Sequence, residues 1–364
     1  MKRFLGKIFQ GNGRMSAAVI LLLYLLIFAP FFLMVAGDAQ VHLAVAERFV
    51  DGHPFTYNAD EIVVASTSPF WTILLVALMH MAGPAAVLLL KVLVTVIYAL
   101  VSAALCAAAG KYFRVEAPFI KLLLGLWLLC IPVLANAVSG LENILSALQV
   151  LLVLLLSERF FDPDRRGVGC STAMGLVLGW ALLTRPDGGA LCLLAVALLH
   201  LFRLVQLKKW KTEIISMGVC VFFAALVLLP WYAYQYRITG KVFTDSSLAR
   251  MYAGRRASVM IIPDVLYFHP KALVTLLSFF APISLGAVIW AASLCRSFFA
   301  ERADWRAHLH RHLVEYASLV IIAAGLVFYS FVVGADHFGR YFLVIFPLFF
   351  VAGICGLNTL LSQY

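Results

Sequence analysis

The stretch Gly37-Asp38-Ala39-Gln40-Val41-His42, continued by Glu47-Arg48, Tyr57-Asn58-Ala59-Asp60-Glu61 and Ser66-Thr67-Ser68-Pro69-Phe70-Trp71, is polar and turn-rich inside an otherwise greasy chain. An apolar run at 17–36 precedes it and another at 85–109 follows, each long enough to cross a bilayer. Between them lies one more apolar run, 70–82, which is short for a crossing and suits a re-entrant or interfacial helix. Whether 70–82 crosses fixes the side of every later loop.

Charge decides between the two topologies. If 70–82 does not cross, the loops 110–117 (Lys111, Arg114), 158–169 (Arg159, Arg165, Arg166), 203–213 (Arg203, Lys208, Lys209, Lys211) and 296–312 (Arg296, Arg302, Arg306, Arg311) all join the basic N-terminus on one side. Most of the Lys and Arg then face the cytoplasm, as positively charged loops do; a crossing at 70–82 would invert that pattern. The sequence therefore predicts an all-α polytopic membrane protein of about ten spans with both termini inside. The predicted spans are 17–36, 85–109, 118–135, 142–157, 170–183, 188–204, 214–234, 272–295, 313–333 and 341–358. Those at 142–157 and 170–183 are short, which calls for tilt or for longer helices than hydropathy suggests. One transmembrane domain, 1–364, is expected, with outer loops at 37–84 and 235–271 and no soluble domain after the last span.

Composition agrees. The chain is 63% hydrophobic and 13% charged, with a mean hydropathy of +0.98, far from the charged fraction of soluble domains. Its net charge of +10 is explained by cytoplasmic loops and needs no nucleic acid. The seven cysteines show no CxxC or zinc spacing and lie in or beside apolar runs, as buried thiols do. The 17–36 run exceeds a secretory-signal core and reads as an uncleaved signal-anchor. Walker A, GxSxG, HExxH and GxGxxG contexts are absent, so ATP hydrolysis, serine hydrolysis, zinc proteolysis and dinucleotide chemistry have no support.

On this topology the outer segments are 37–70, 136–141, 184–188, 235–271 and 334–340. Asp38 is either the N-cap of a helix 39–50, whose apolar stripe is Val41, Val45 and Phe49, or a reactive carboxylate, and the two roles are compatible. His42 lies one turn on, either sharing a proton or a metal with Asp38 or standing as a polar surface residue. Glu142, in Ser139-Gly140-Leu141-Glu142-Asn143, opens a span at the same face, as a dipole-complementing charge or a second acid of the site. Arg185 and Asp187 share Thr184-Arg185-Pro186-Asp187-Gly188. Asp336, Arg340 and Tyr341 share 334–341. These arginines either snorkel or line a pocket. The loop 235–271 adds Arg250 among six basic residues, suited to anionic lipid headgroups or to a phosphate. His308, His310 and His312 form HxHxH in a cytoplasmic loop; no carboxylate or thiol motif accompanies them, so no metal is assigned.

Acids near one membrane surface, converging arginines and an apolar surround match transfer of a group from a phosphate-linked lipid to a hydroxyl. A carboxylate serves as general base and cations stabilise the departing phosphate. The order Asp38, Arg48, Asp51-Gly52-His53-Pro54-Phe55-Thr56-Tyr57-Asn58, Glu61, Thr67-Ser68-Pro69-Phe70-Trp71, Ser139-Gly140-Leu141-Glu142, Thr184-Arg185-Pro186-Asp187-Gly188 and 334–342 resembles the GT-C superfamily of polyprenyl-phosphate-sugar glycosyltransferases over nearly the whole chain. It is most similar to the terminal arabinofuranosyltransferase-like and protein O-mannosyltransferase-like bacterial membrane branch. The resemblance implies an inverting transfer at the outer face of the bacterial cytoplasmic membrane, with Asp38 as base. Substrate contacts would come from His42, Arg48, Tyr57, Glu61, Ser68, Glu142, Arg185, Asp187, Arg250, Asp336, Arg340 and Tyr341. The implied partners are a polyprenyl-phosphate-linked sugar, a glycan, lipid or protein acceptor, and membrane lipids. No cofactor is implied, a divalent metal being permitted but not indicated. The chain departs from the family at Gly37, where a second acid is usual, and at His42, where an apolar residue is usual. A transporter or flippase of a phosphorylated lipid or sugar, and a non-catalytic assembly subunit of the same fold, are the competing readings. No repeated halves of the transporter kind are visible.

Overall fold

The computed structural model describes residues 26, 29, 35, 37–58, 61–161, 167–206, 210–242, 244–245, 259–262, 266–268, 274, 280–301, 304–330 and 341–362. Most of the first predicted span and all of the motif 334–340 lie outside them. The architecture is that of an all-α polytopic membrane protein. Its helices are α1 (Gly37–Val50), α2 (Pro69–Ala82), α3 (Ala86–Lys111), α4 (Ala117–Leu128), α5 (Ile131–Val138), α6 (Asn143–Phe161), α7 (Val168–Thr184), α8 (Pro186–Gln206), α9 (Trp210–Thr239), α10 (Ala281–Ala300), α11 (Trp305–Arg311), α12 (Leu313–Phe328) and α13 (Phe346–Ser362). The exception is a short antiparallel ladder, β1 (Val259–Ile262) with β2 (Leu266–Phe268), in the predicted loop 235–271.

Among the described residues three helical segments are long and apolar enough to cross a membrane, and a bent pair makes a fourth. Five shorter apolar helices complete the bundle. The two spans expected to be short, 142–157 and 170–183, are the longer helices α6 and α7, which start or finish on polar residues that hydropathy discounts. The span expected at 118–135 is not continuous. It bends by 59° between α4 and α5, where Cys130 is extended and Pro132 opens a new helix. Residues 69–111 are helical throughout, α2 passing into α3 through a 3₁₀ turn at Gly83–Ala85 that Gly83 (φ 50°) and Pro84 impose. That segment is 43 residues long, and at the helical rise α3 alone supplies a bilayer crossing of about 30 Å.

The core is centred on α13, whose residues from Phe346 to Gly356 are buried on every side. Around it, Trp127 packs edge-on to Phe350 and stacks on Tyr98, and Trp290 meets Phe113. Helix α9 is peripheral: Ile215, Phe222 and Leu229 are exposed, as apolar side chains facing lipid are.

Close helix packing relies on glycine, because between lipid-solvated helices only tight approach adds contact energy. A Cβ built on Gly356 would stand 1.8 Å from the Gly286 carbonyl oxygen, and one on Gly286 would stand 2.1 Å from the Gly353 oxygen. Helices α10 and α13 therefore touch backbone to backbone. Gly175 and Gly179 do the same for α7 against α9, with Cβ positions 2.3 Å and 2.7 Å from the Cys220 and Ala224 oxygens. Gly356→Val is expected to force these backbones apart and to lower stability by about 1–3 kcal/mol or more. Thermal unfolding of the detergent-solubilised protein measures this, with the exposed Gly218→Val as control.

The turns sort to two ends. At one end, Phe160 meets His200, His200 Nδ1 lies 3.3 Å from the Glu213 carboxylate, and Tyr112 donates to the Leu155 carbonyl. The HxHxH loop belongs with these segments in the predicted topology, and here carboxylates do accompany it. Glu301 contacts buried His308 and also Arg311, while Glu315 contacts His312. Tyr316 takes the other His308 nitrogen. The loop is thus a polar knot tying α10, α11 and α12 together, and among the described residues no group of three or more His, Cys, Asp or Glu side chains is arranged to hold a metal ion.

Candidate functional site

At the opposite end, α1 begins at Gly37, so Asp38 stands in its first turn, and the reading of Asp38 as the N-cap of a helix 39–50 gives way to that position. A carboxylate there complements the unsatisfied amides and dipole of the helix start. One side of α1, Ala39, Val45 and Ala46, is buried in the bundle, while Asp38, Val41 and His42 form one wall of a cleft of about 450 Å³. The other wall is Tyr57, Asn58, Glu61, Val63, Ala65 and Thr67. That wall is held in shape from behind. Phe55 adopts φ 56°, unfavourable for a bulky residue, and is fixed by Phe49 at 5.1 Å and Trp231 at 5.4 Å. Across the resulting turn, Thr56 bridges to Ile62 and Val63 N–H donates to the Phe55 carbonyl.

A segment from the far side of α9 clasps the same wall. Asp245 accepts from Val64 N–H at 3.0 Å and from Lys241 at 2.8 Å, and its own amide donates to the Val64 carbonyl. Gln235 secures the approach by donating to the Lys241 and Val242 carbonyls. Partial desolvation raises the Asp245 carboxyl, but the Lys241 and Val64 hydrogen bonds outweigh it and hold the group below its ordinary value of 3.8. A depressed folded value means the clasp contributes fully above pH 3.8 and is lost as pH falls below it. Slow hydrogen exchange at Val64 N–H is therefore expected at pH 5 and faster exchange in Asp245→Asn, read by mass spectrometry.

Behind the cleft the polar groups close on one another. Ser66 Oγ accepts from Ser68 N–H and, at 2.8 Å, from the Thr72 hydroxyl. The same oxygen is hydrogen-bonded to His42 Nδ1, 3.1 Å away. On its other side, His42 Nε2 lies 3.6 Å from the Glu142 carboxylate. His42 is only 5% exposed, so it is an internal link rather than a surface residue. Glu142, 2% exposed, faces Arg185 at 3.4 Å, and Arg185 also contacts Asn143. The guanidinium grips Asp187 in bidentate fashion, Nε at 3.0 Å and Nη2 at 2.6 Å, and Tyr329 donates to the same carboxylate at 3.1 Å. Pro186 starts α8 directly after α7 ends, which folds Arg185 and Asp187 back together. Arg185 is thus neither snorkelling nor open to the cleft.

Of the residues singled out in the sequence, Asp38, His42, Tyr57 and Glu61 line the cleft together, with Asn58 donating to Glu61 at 3.2 Å. Glu142, Arg185 and Asp187 form the buried chain behind it. Ser68 is buried beside Ser66 at the start of α2, and Arg48 stands in the last turn of α1, away from the cleft lining. Arg250, Asp336 and Arg340 lie outside the described residues, and Tyr341 opens the 3₁₀ turn Tyr341–Val344. Several contributors were not singled out as site residues in the sequence. Ser66 and Asn143 adjoin motif residues and were within reach of the pattern. Tyr329 carried no such signal.

No protein-family model matches the chain, and no curated protein matches it. Two solved structures share its fold. One is ArnT from Cupriavidus metallidurans bound to undecaprenyl phosphate, with a TM-score of 0.62 and 19% identity over 94% of this chain and 59% of that chain. The other is the same protein in the apo state, with a TM-score of 0.60 and 18% identity over 95% of this chain and 59% of that chain. The chain thus spans well under two thirds of the length of the proteins it matches, and at these identities the likeness is one of fold.

Proposed function

We propose that the protein is an integral membrane glycosyltransferase of the GT-C kind, moving a hexosyl or pentosyl unit from a polyprenyl-phosphate donor to an acceptor hydroxyl. The observation that carries this reading is Asp38, a partly exposed carboxylate on a cleft sized for a small ligand, backed by a buried chain of acids and bases. The fold shared with a protein solved with undecaprenyl phosphate supports the lipid donor. Asp38 accepts the proton of the acceptor hydroxyl as its oxygen attacks the anomeric carbon. The new glycosidic C–O bond forms as the bond from that carbon to the phosphate oxygen breaks, and polyprenyl phosphate leaves with the electron pair. Attack opposite the leaving group inverts the anomeric centre. The departing phosphate is assigned to Arg250 and Arg340, because the Arg185 guanidinium is already engaged by Asp187 and Glu142. Tyr57, Asn58 and Glu61 supply hydrogen bonds and one aromatic face to the ligand in the cleft. The gathering of basic loops on one side supports a cleft at the outer face of a bacterial cytoplasmic membrane, with both termini cytoplasmic.

Proteoliposomes holding the protein, undecaprenyl-phosphate-linked sugars and candidate glycan, lipid or peptide acceptors test the reading. Mass spectrometry should find a new glycoside together with free undecaprenyl phosphate. Movement of intact donor between leaflets without cleavage would instead establish a transporter, and neither process would leave an assembly role.

A further inference from the structure

The cleft wall that follows the Phe55 turn alternates residue by residue. Val63, Ala65 and Thr67 line the cleft, while Val64, Ser66 and Ser68 are turned inward and buried. That is the period of an extended chain, whose successive side chains point to opposite faces. The inward row has its own settings: Val64 packs with Phe55, Leu183 and Trp231, and Ser66 joins His42 and Thr72. A slip of one residue would exchange the two rows, burying the Thr67 hydroxyl and presenting Val64 and Ser66 to the cleft. The chemistry of the wall thus depends on register, and backbone hydrogen bonds set it. On one edge Val63 N–H donates to the Phe55 carbonyl at 2.7 Å, a contact within the same loop. On the other edge Val64 is bonded twice to Asp245, across 181 positions of sequence. Its N–H donates to Asp245 Oδ2 at 3.0 Å, and its carbonyl accepts from the Asp245 amide at 3.1 Å. Two bonds between one pair of residues fix position along the chain as well as distance. Asp245 is itself delivered to a fixed place. Gly240 turns the chain off the end of α9 at φ 66°, Lys241 N–H donates to Thr239 Oγ1, and Lys241 Nζ donates to Asp245 Oδ1 at 2.8 Å.

We propose that Asp245 is a positioning residue of the cleft, locking the register that turns Val63, Ala65 and Thr67 toward the ligand. Asp38 stands on the opposite wall, on α1, so the lock governs how the ligand is received and leaves the reactive carboxylate in place. The kinetic meaning rests on the transferase reading; the exchange measurement does not. Full-length wild type and Asp245→Ala in bilayers are compared by hydrogen exchange with mass spectrometry. Exchange in peptides covering 62–68 should quicken about tenfold or more, the loss of a hydrogen bond to a charged acceptor, while peptides from α6 and α13 keep their rates. In transfer from an undecaprenyl-phosphate-linked sugar, the KM for that donor should rise about tenfold with kcat within about twofold, because the binding-competent wall is populated less often. A variant that was only less stable would lose kcat through its unfolded fraction and keep its KM. Asp245→Asn keeps an oxygen for Val64 N–H but loses the ionic contact with Lys241, and should fall between. Unchanged exchange across 62–68 in a folded Asp245→Ala protein overturns the proposal, as does an unchanged KM in a protein that transfers. Should Asp245→Ala not fold, Asp245→Asn decides by the same criteria. Quickened exchange in a protein whose wild type transfers nothing would keep Asp245 as the lock and remove the transferase reading.

Discussion

Asp38→Asn is expected to lower transfer by about 10²- to 10⁴-fold, the contribution of a positioned general base, while the protein inserts and melts like the wild type. The asparagine side chain has the same shape, and Asp38 stands partly exposed in the first turn of α1. Losing one charge at the helix start costs at most about 1 kcal/mol. Rate and stability thus separate at this position. Initial rates of glycoside formation in proteoliposomes, set beside a melting curve of the same preparation, make the measurement. Wild-type turnover in Asp38→Asn would remove the residue from the mechanism and move attention to Glu61, a second carboxylate among the described residues of the cleft.

Arg185→Met should show the opposite separation, with folding failing first. The substitution strands Asp187 and Glu142 in the bundle without their guanidinium, and deleting one member of a buried ion pair costs about 3–5 kcal/mol. Arg185→Lys should recover little, because an ammonium cannot make the paired contacts from Nε and Nη2 to Asp187. Arg185→Met combined with Asp187→Leu should recover more than Arg185→Met alone, since the stranded charge is removed as well. Chemical denaturation of the detergent-solubilised variants checks the order, and a single mutant as stable as the wild type would show that the chain of contacts does not bear on folding.

The bundle was legible because apolar length and basic loops are strong signals. Helices α3, α6, α7, α8, α9, α10, α12 and α13 all fall on runs that hydropathy marks. What hydropathy misses is backbone geometry: the bend between α4 and α5 turns on Pro132, and the α10–α13 contact on Gly286, Gly353 and Gly356, none of which changes an apolar average. The site was legible as a set of motifs, with Asp38, His42, Glu142, Arg185 and Asp187 all marked by polarity in the wrong place. Their roles were not. Only the three-dimensional arrangement shows His42 turned inward to Ser66 and Glu142, or Arg185 engaged by its own neighbours rather than open to a ligand. Tyr329, near the end of α12, joins Asp187 across a long separation in sequence that no local pattern encodes.

The chain from His42 through Glu142, Arg185 and Asp187 to Tyr329 also has a meaning for how such a protein diversifies. Each member depends on the next, so a change at any one is harmful until a second compensates it, and drift there must proceed in coupled steps. Tyr57, Asn58 and Glu61 are under no such constraint, resting on a turn that Phe55 and its aromatic neighbours hold from behind. Descendants of this sequence are then expected to keep the buried chain as a block while exchanging the cleft wall freely. New ligand preferences would arise on one side of a cleft whose other side is nearly frozen.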